Sequence, residues 1–265
     1  EIPAKLRHDS PPVVLTLASS DQTTPITPAS QIALEGVCCL ARRGMFSGIG
    51  LDWGCGSGLL AITAAKVPEV TRMVGCDIMS ENIDIATANA QQNGVGDKVS
   101  FFEADSLTAV TPAGCEALMQ LKGKVNFVVA NPPASKGEGL EFRRRVLRDC
   151  LPFLAPGAFV LLQISYQYSQ QRIQGLAMDV PSFQFVEEIS STDWVPFDQG
   201  RADLREQLVD YAAEEERGGT LYTFQHPEHT GDGSKHYNAR EALARFTTAG
   251  QNPMSKWQTF LFRLK

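Results

Sequence analysis

Nowhere among the 265 residues do two cysteines form a C-x-x-C pair, so the zinc-ribbon and dithiol-redox signatures are missing. The six cysteines (Cys38, Cys39, Cys55, Cys76, Cys115 and Cys150) are scattered, mostly inside apolar segments. They read as reduced thiols in a cytosolic-type compartment, with Cys38-Cys39 as core on an apolar helix. No apolar run approaches the roughly 18 residues of a membrane-spanning helix, and the opening EIPAKLRHDS does not read as a signal peptide. The expectation is a cytoplasmic chain without a membrane partner. Positive charge is not in excess either: 24 Lys and Arg against 30 Asp and Glu leave a net charge of −6. That balance argues against a surface that attracts phosphate backbone everywhere, though it leaves room for a local basic patch. Internal repeats and low-complexity tracts are also lacking.

What is present is alternation. Short apolar runs at 13–17, 49–53, 73–77, 99–105, 125–130, 158–165, 183–189 and 257–264 read as strands. Helical patterns fall between many of them: Thr27 to about Arg43, 59–66, Ser80 to Asn93, 113–122, and a helix from about 138. Thr27 is suited to cap the first of these with Pro28 at its first position, and Gly94 to stop the third. Strands spaced by helices predict an α/β fold with a mainly parallel sheet covered on both faces. In such sheets ligands sit beyond the carboxyl ends of the strands.

Those ends carry polar residues. The first reads Asp52-Trp53-Gly54-Cys55-Gly56-Ser57-Gly58, a strand, a glycine turn and a helix start that together offer free N–H groups to a ligand. Its G-x-G-x-G spacing is not the G-x-G-x-x-G of a dinucleotide fingerprint, which counts against NAD. The second is Asp77, twenty-five residues after Asp52. It is suited to accept ribose hydroxyls or, as readily, to cap a helix. The third is Ala104-Asp105, where the aspartate is either an acceptor for an adenine amino group or a solvent-exposed turn residue. The fourth, Val128-Val129-Ala130-Asn131-Pro132-Pro133-Ala134-Ser135, places an amide and a rigid Pro-Pro at the lip of a buried strand.

DWGCGSG, GCDI, EADS and NPP on successive strands resemble the class I S-adenosylmethionine-dependent methyltransferases over roughly residues 25–190 and the last strand. The resemblance implies a Rossmann-like, doubly wound, mainly parallel seven-stranded sheet, with 257–264 as an antiparallel edge strand. It implies S-adenosyl-L-methionine as cofactor, with Asp52 and the backbone of Gly54, Cys55, Gly56 and Gly58 at its methionine end. It further implies Asp77 on the ribose, Ile78 against the adenine face, and Ala104 and Asp105 at the adenine edge. Asn131 would contact both cofactor and acceptor.

Methyl transfer from a sulfonium is an in-line displacement, so positioning supplies most of the acceleration. A planar amide or amino nitrogen is a poor nucleophile, and two acceptors gripping its N–H groups would orient it. The Asn131 side-chain oxygen and the Pro132 carbonyl are the two acceptors, stiffened because each precedes a proline. Asn-Pro-Pro followed by an aromatic marks methyltransferases of exocyclic base amines or glutamine amides, and GEGLEFRRRVLRDC resembles the protein-(glutamine-N5) methyltransferases. Here the next residue is Ala134, which weakens the case for a stacked nucleobase. The helical recognition domain that precedes the catalytic domain in the glutamine enzymes cannot be read into residues 1–47.

The expected organisation is an N-terminal extension over 1–47 and a methyltransferase domain over 48–265, with residues 196–256 inserted before the last strand. The insert contains ADLREQLVDYAAEEER, with Leu204, Leu208 and Tyr211 at helical spacing, a strand-like TLYTF and the helix AREALARF. Its expected role is a substrate lid, with Pro133, Ala134, Trp194, Phe197 or Tyr222 walling the acceptor. Arg143-Arg144-Arg145 with Arg148, and Glu214-Glu215-Glu216, read as solvated stretches. His226, His229 and His236 with Glu228 and Asp232 are too irregular for a clear metal site. The function read from these features is methyl transfer to a planar nitrogen of a protein or small molecule. An RNA base and a non-catalytic cofactor-binding scaffold stand as alternatives.

Overall fold

The computed structural model describes residues 1–9, 11–17, 27–228 and 236–265. A small antiparallel pair comes first, β1 (Ile2–Ala4) with β2 (Val13–Leu15). Helix α1 (Pro28–Arg42) follows, its start set as the sequence predicts: the Thr27 hydroxyl accepts the Ser30 N–H and proline takes the first helical position. The βα alternation then runs β3 (Gly48–Trp53), α2 (Leu59–Ala65), β4 (Val70–Asp77), α3 (Ser80–Gln92), β5 (Val99–Asp105), a two-residue β6 (Thr108–Ala109), α4 (Pro112–Met119), β7 (Val125–Ala130) and α5 (Glu141–Cys150). After β8 (Leu154–Ser165) come α6 (Gln170–Asp179) and β9 (Phe183–Ser191). A second region follows: β10 (Val195–Pro196), α7 (Ala202–Glu216), β11 (Phe224–Gln225), β12 (His236–Tyr237), α8 (Ala239–Ala249) and β13 (Met254–Ser255). The last strand is β14 (Trp257–Leu264).

The main sheet has the order β6-β5-β4-β3-β7-β8-β14-β9. β5, β4, β3, β7 and β8 pair parallel in that order, while β14 is antiparallel to both β8 and β9. Seven strands are therefore substantial, with β6 a short antiparallel addition. The last strand is antiparallel, as expected, but it is not the edge. It lies between β8 and β9, and β9 is the edge. The residues explain the placement: Phe260, Leu261 and Phe262 are all buried, and a strand apolar on both faces belongs inside a sheet.

β7 shows how one strand builds two cores. Phe127 and Val129 join Phe159 and Leu161 on one face, while Val128 and Ala130 join Leu51 and Val160 on the other. Both faces are dry because helices cover both, so NFVVA reads as a continuous apolar run rather than an alternating one. Cys38 is buried in the first of these cores, while Cys39 is only partly buried. Among the described residues no helix is long and apolar enough to cross a membrane.

Three features depart from the sequence reading. Helix α6 was not anticipated. TLYTF shrinks to the two-residue β11, whose neighbours are β12 and β13. Glu215 is not solvated: its carboxylate accepts the N–H groups of Tyr222 (2.8 Å), Ala239 (2.9 Å) and Arg240 (3.0 Å). The last two open α8, where amides have no partner within the helix and a negative charge is favoured. Glu215 therefore ties the end of α7 to the start of α8. The insert is not a separate body either, since Leu204, Leu208, Tyr211, Tyr222 and Phe224 belong to the same core as Leu162 and Ile164 of β8.

Replacing Glu215 by alanine orphans the buried N–H groups of Tyr222 and Ala239 at about 1–3 kcal/mol each, while the part-buried Arg240 N–H can turn to water. The expected outcome for Glu215→Ala is a loss of at least about 2 kcal/mol in urea unfolding. A loss under about 1 kcal/mol would contradict this role.

Candidate active site

A cavity of about 450 Å³ opens at the carboxyl ends of β3, β4, β5, β7 and β8. Its lining brings together Gly54, Gly56, Asp77, Ile78, Ala104, Asp105, Asn131, Pro132, Pro133, Ala134 and Phe197. It does not include Asp52, Cys55, Gly58 or Trp194.

The glycine turn is built by backbone geometry. Gly54, Gly56 and Gly58 have φ of 69°, 52° and 82°, the left-handed region that costs other residues energy. A Cβ on Gly58 would also come within 2.9 Å of the Phe101 ring. Asp52 works beneath this turn. It is 1% exposed, and its Oδ2 accepts the Ala61 N–H at 2.9 Å, fixing the first turn of α2. Its carboxylate faces the helix start and does not line the cavity. Burial, aided by the nearby Asp77 carboxylate and opposed by the Ala61 N–H, raises its pKa to about 7.

Asp77 closes the other side. Its Oδ2 accepts the Gly56 N–H at 2.8 Å, and its Oδ1 accepts the Met79 N–H and the Asn82 side-chain amide, both at 3.0 Å. It therefore braces the chain entering α3, whose N-cap is Met79, and ties it to the glycine turn. A carboxylate offers about four lone-pair directions, so three donors leave about one free. Of the three donors only the Asn82 amide is a side chain, free to turn away and release a second lone pair. Ile78 is 64% exposed beside it, an apolar face available to a flat ring. Asp105 also lines the cavity, but Arg145 holds it at 2.8 Å.

At the end of β7, the Asn131 Nδ2 donates to the Ser30 hydroxyl of α1 at 3.5 Å, leaving Oδ1 as an acceptor. The Pro133 carbonyl is taken by the Arg143 guanidinium. No described group donates to the Pro132 carbonyl. The acceptors left at this lip are Asn131 Oδ1 and Pro132 O.

Position 134 has no ring, yet the cavity has aromatic walls. Phe142 lies 6.3 Å from Trp53, and Phe197 stacks on Trp257 with centroids 6.1 Å apart; all four line the cavity. Trp194 lies outside, edge-on to Tyr166 at 4.7 Å and beneath the Lys256 ammonium. Tyr222 is also outside, its hydroxyl donating to the Gly137 carbonyl at 2.6 Å. The sequence reading also missed Gln163, Ser165 and Gln167, which line the cavity at the end of β8. Their signal is legible in QISYQ: polar residues at every second position, closing an apolar strand.

The arginine run is not a solvated face. Arg144 pairs with Glu138, Glu141 and Asp179, Arg145 with Asp105 and Asp149, and Arg148 with Glu141. Arg143 is 3% exposed and packs 5.7 Å over the Tyr168 ring. Burial, opposed by Tyr168, Tyr211 and Glu138, lowers its pKa from the usual guanidinium range. In the histidine segment, His229 and Asp232 lie outside the described residues, and the His226 Nδ1 accepts the Glu228 N–H. Among the described residues no three His, Cys, Asp or Glu side chains are grouped to hold a metal.

Residues 28–188 match the family model described as the methyltransferase small domain. The chain belongs to that family. It is 36% identical over 83 residues to a release factor glutamine methyltransferase of Chlorobaculum tepidum, covering 31% of this chain and 26% of the relative. It is 38% identical over 111 residues to a ribosomal protein L11 methyltransferase of Tolumonas auensis, covering 38% of this chain and 36% of the relative. It thus spans only about a quarter to a third of the length of these relatives. A S-adenosylmethionine-dependent methyltransferase of Geobacter sulfurreducens, solved with S-adenosyl-L-homocysteine, shares the fold, with a TM-score of 0.51, 14% identity and coverage of 93% and 95% of the two chains.

The Asp52 geometry sets a pH dependence. Its folded pKa is raised, so between about 4 and 7 the folded state holds a proton that the unfolded state has lost. Stability therefore falls as pH rises through that window. Asp52→Asn, which can still accept the Ala61 N–H, is expected to flatten the decline. Thermal melts from pH 4 to 8 with parallel slopes for both proteins would refute this.

Proposed function

We propose that this chain is an S-adenosyl-L-methionine-dependent methyltransferase that moves a methyl group to an amide or amino nitrogen of a protein or small molecule. The observation that carries the reading is the pair of acceptors left at the β7 lip, Asn131 Oδ1 and Pro132 O. They line the same cavity as the glycine turn and Asp77. Family membership and the activities for which the two bacterial relatives are named support it. A cytosolic-type compartment belongs to the same reading, supported by the free cysteines.

The cradle fits such a cofactor. Gly54 and Gly56 present backbone without side chains, Asp77 keeps acceptor capacity, and Ile78 and Ala104 offer an apolar slot. When bound, the cofactor supplies an electrophilic methyl on a sulfonium. Asn131 and Pro132 grip the N–H groups of the acceptor, turn its lone pair toward the methyl and receive the positive charge that builds on nitrogen. Both groups are preorganised: the Ser30 hydroxyl holds the Asn131 amide, and the proline rings restrict the backbone. We assign the insert the role of a wall and cover, since Phe197, Arg201, Leu204 and Gln207 line the cavity. Phe197 serves there and Trp194 does not. The domain division follows with one change: α1 belongs with the catalytic unit, because Thr27, Ala29 and Ser30 line the site.

Two variants test the reading. Asn131→Ala should leave S-adenosylmethionine affinity within a few-fold while abolishing most transfer, because the lost contact is to the acceptor. Near wild-type transfer in that variant would sink the clamp. Asp77→Ala should weaken cofactor binding by about 1.5–3 kcal/mol, the range for charged hydrogen bonds. Unchanged affinity by calorimetry in a folded Asp77→Ala protein would remove the cofactor assignment.

A further inference from the structure

We propose that the methyl acceptor is a small carboxylic acid, and that Arg143 receives its carboxylate. This deepens the transferase reading and rests on it. Three arginines line the cavity: Arg143, Arg145 and Arg201. Arg145 is neutralised by Asp105 and Asp149, and Arg201 by Asp203 at 2.6 Å. Arg143, the most buried of the three, forms no ion pair among the described residues. The nearest candidate, Glu138, is already paired with Arg144 and Arg172. Among the described residues the side chain of Arg143 donates to the Pro133 carbonyl alone, and its buried Nε has no partner among them.

A guanidinium stays protonated in a protein. Holding one out of water without a counter-ion is costly. Its contacts with the Tyr168 face and one carbonyl offset only part of that cost. An anion arriving in the cavity would complete the pair, and a carboxylate matches the planar fork of donors.

Topology shows whose anion it is. The glycine turn, where the cofactor's own carboxylate belongs, lies at the end of β3. Asn131 lies at the end of the neighbouring β7, and Tyr168 follows β8 one strand further on. Arg143 over Tyr168 is thus on the far side of Asn131 from the glycine turn, where the acceptor sits. Gln163, Ser165 and Gln167 line the cavity at that same end of β8. Walled by α7 and set behind Pro133, the arginine suits a compact acid better than a protein loop.

The test supplies the full chain with S-adenosylmethionine labelled in the methyl group, together with the separated small-molecule and protein fractions of a cell extract. Labelled small molecules are then resolved by strong anion exchange at about pH 12, where amines are neutral and only an acid group keeps its charge. The expected result is label on a small molecule that the exchanger retains. Label confined to protein, or on small molecules that pass unretained, overturns the proposal while leaving the transferase reading intact. No labelled product in any fraction removes that reading and the proposal with it.

Once the product is identified, its unmethylated acid is compared with the corresponding carboxamide. Arg143→Gln should raise KM for the acid about 10- to 100-fold, the range of a charged hydrogen bond. It should leave KM for the carboxamide, and affinity for S-adenosylmethionine, within about two-fold. An arginine that only holds Pro133 in place would penalise acid and carboxamide alike, and that outcome refutes the carboxylate role. Arg143→Lys, which keeps the charge, should recover part of the loss for the acid.

Discussion

Parallel pairing of β3 with β4 on one side and β7 on the other decides where everything else can be. A parallel ladder sends every strand end of one polarity to one edge of the sheet. From β3 the chain steps first toward β4 and β5, then returns to the other side for β7 and β8. The turns after β3 and β7 therefore diverge, and the crevice between them is the cavity. The glycine turn and the Asn131 lip face each other because of strand order, with no other contact needed to bring them together.

Electrostatics then divides the labour along that crevice. Asp52 and Asp77 serve the glycine turn from below and from the side, one through the Ala61 N–H and the other through the Gly56 N–H. The turn is thus held by two carboxylates, only one of which can also reach a ligand. Beyond β7 the Tyr168 ring carries Arg143, which has no ion pair among the described residues, and Arg172, which pairs with Glu138. The cavity is thus lined by the Asp77 carboxylate beside the glycine turn and by the Arg143 guanidinium beside Tyr168.

The strands and most helices were legible because their signals are local: apolar runs, Thr27-Pro28 at a helix start, glycine at a positive φ. The lip was legible for the same reason, since proline restricts its own neighbours whatever the tertiary context. What escaped notice depends on partners distant in sequence. Helix α6 has a sequence, QQRIQGLAMD, too polar and too interrupted to stand out without the sheet face that buries Ile173 and Leu176. Glu215 looks like its two acidic neighbours until the start of α8 arrives against it. Arg143 looks like Arg144 and Arg145, and only its place on the helix turns it inward. The interior position of β14 could be suspected from the apolar residues on both its faces, but strand order is not a local property.

The placement of β14 has a consequence for assembly. Leu162 pairs with Phe260, roughly a hundred residues later, and the strand that fills the gap between β8 and β9 follows both in the chain. While the insert is being threaded, β8 presents an unpaired apolar edge and β9 lacks its only partner strand, a state that recruits foreign strands. Such distant pairing is slow, because a long loop must close before any contact rewards it. The insert is that loop, and its length governs how long that state lasts. Each turn of helix it folds early shortens the span left to close, so its internal order protects the nascent sheet from aggregation.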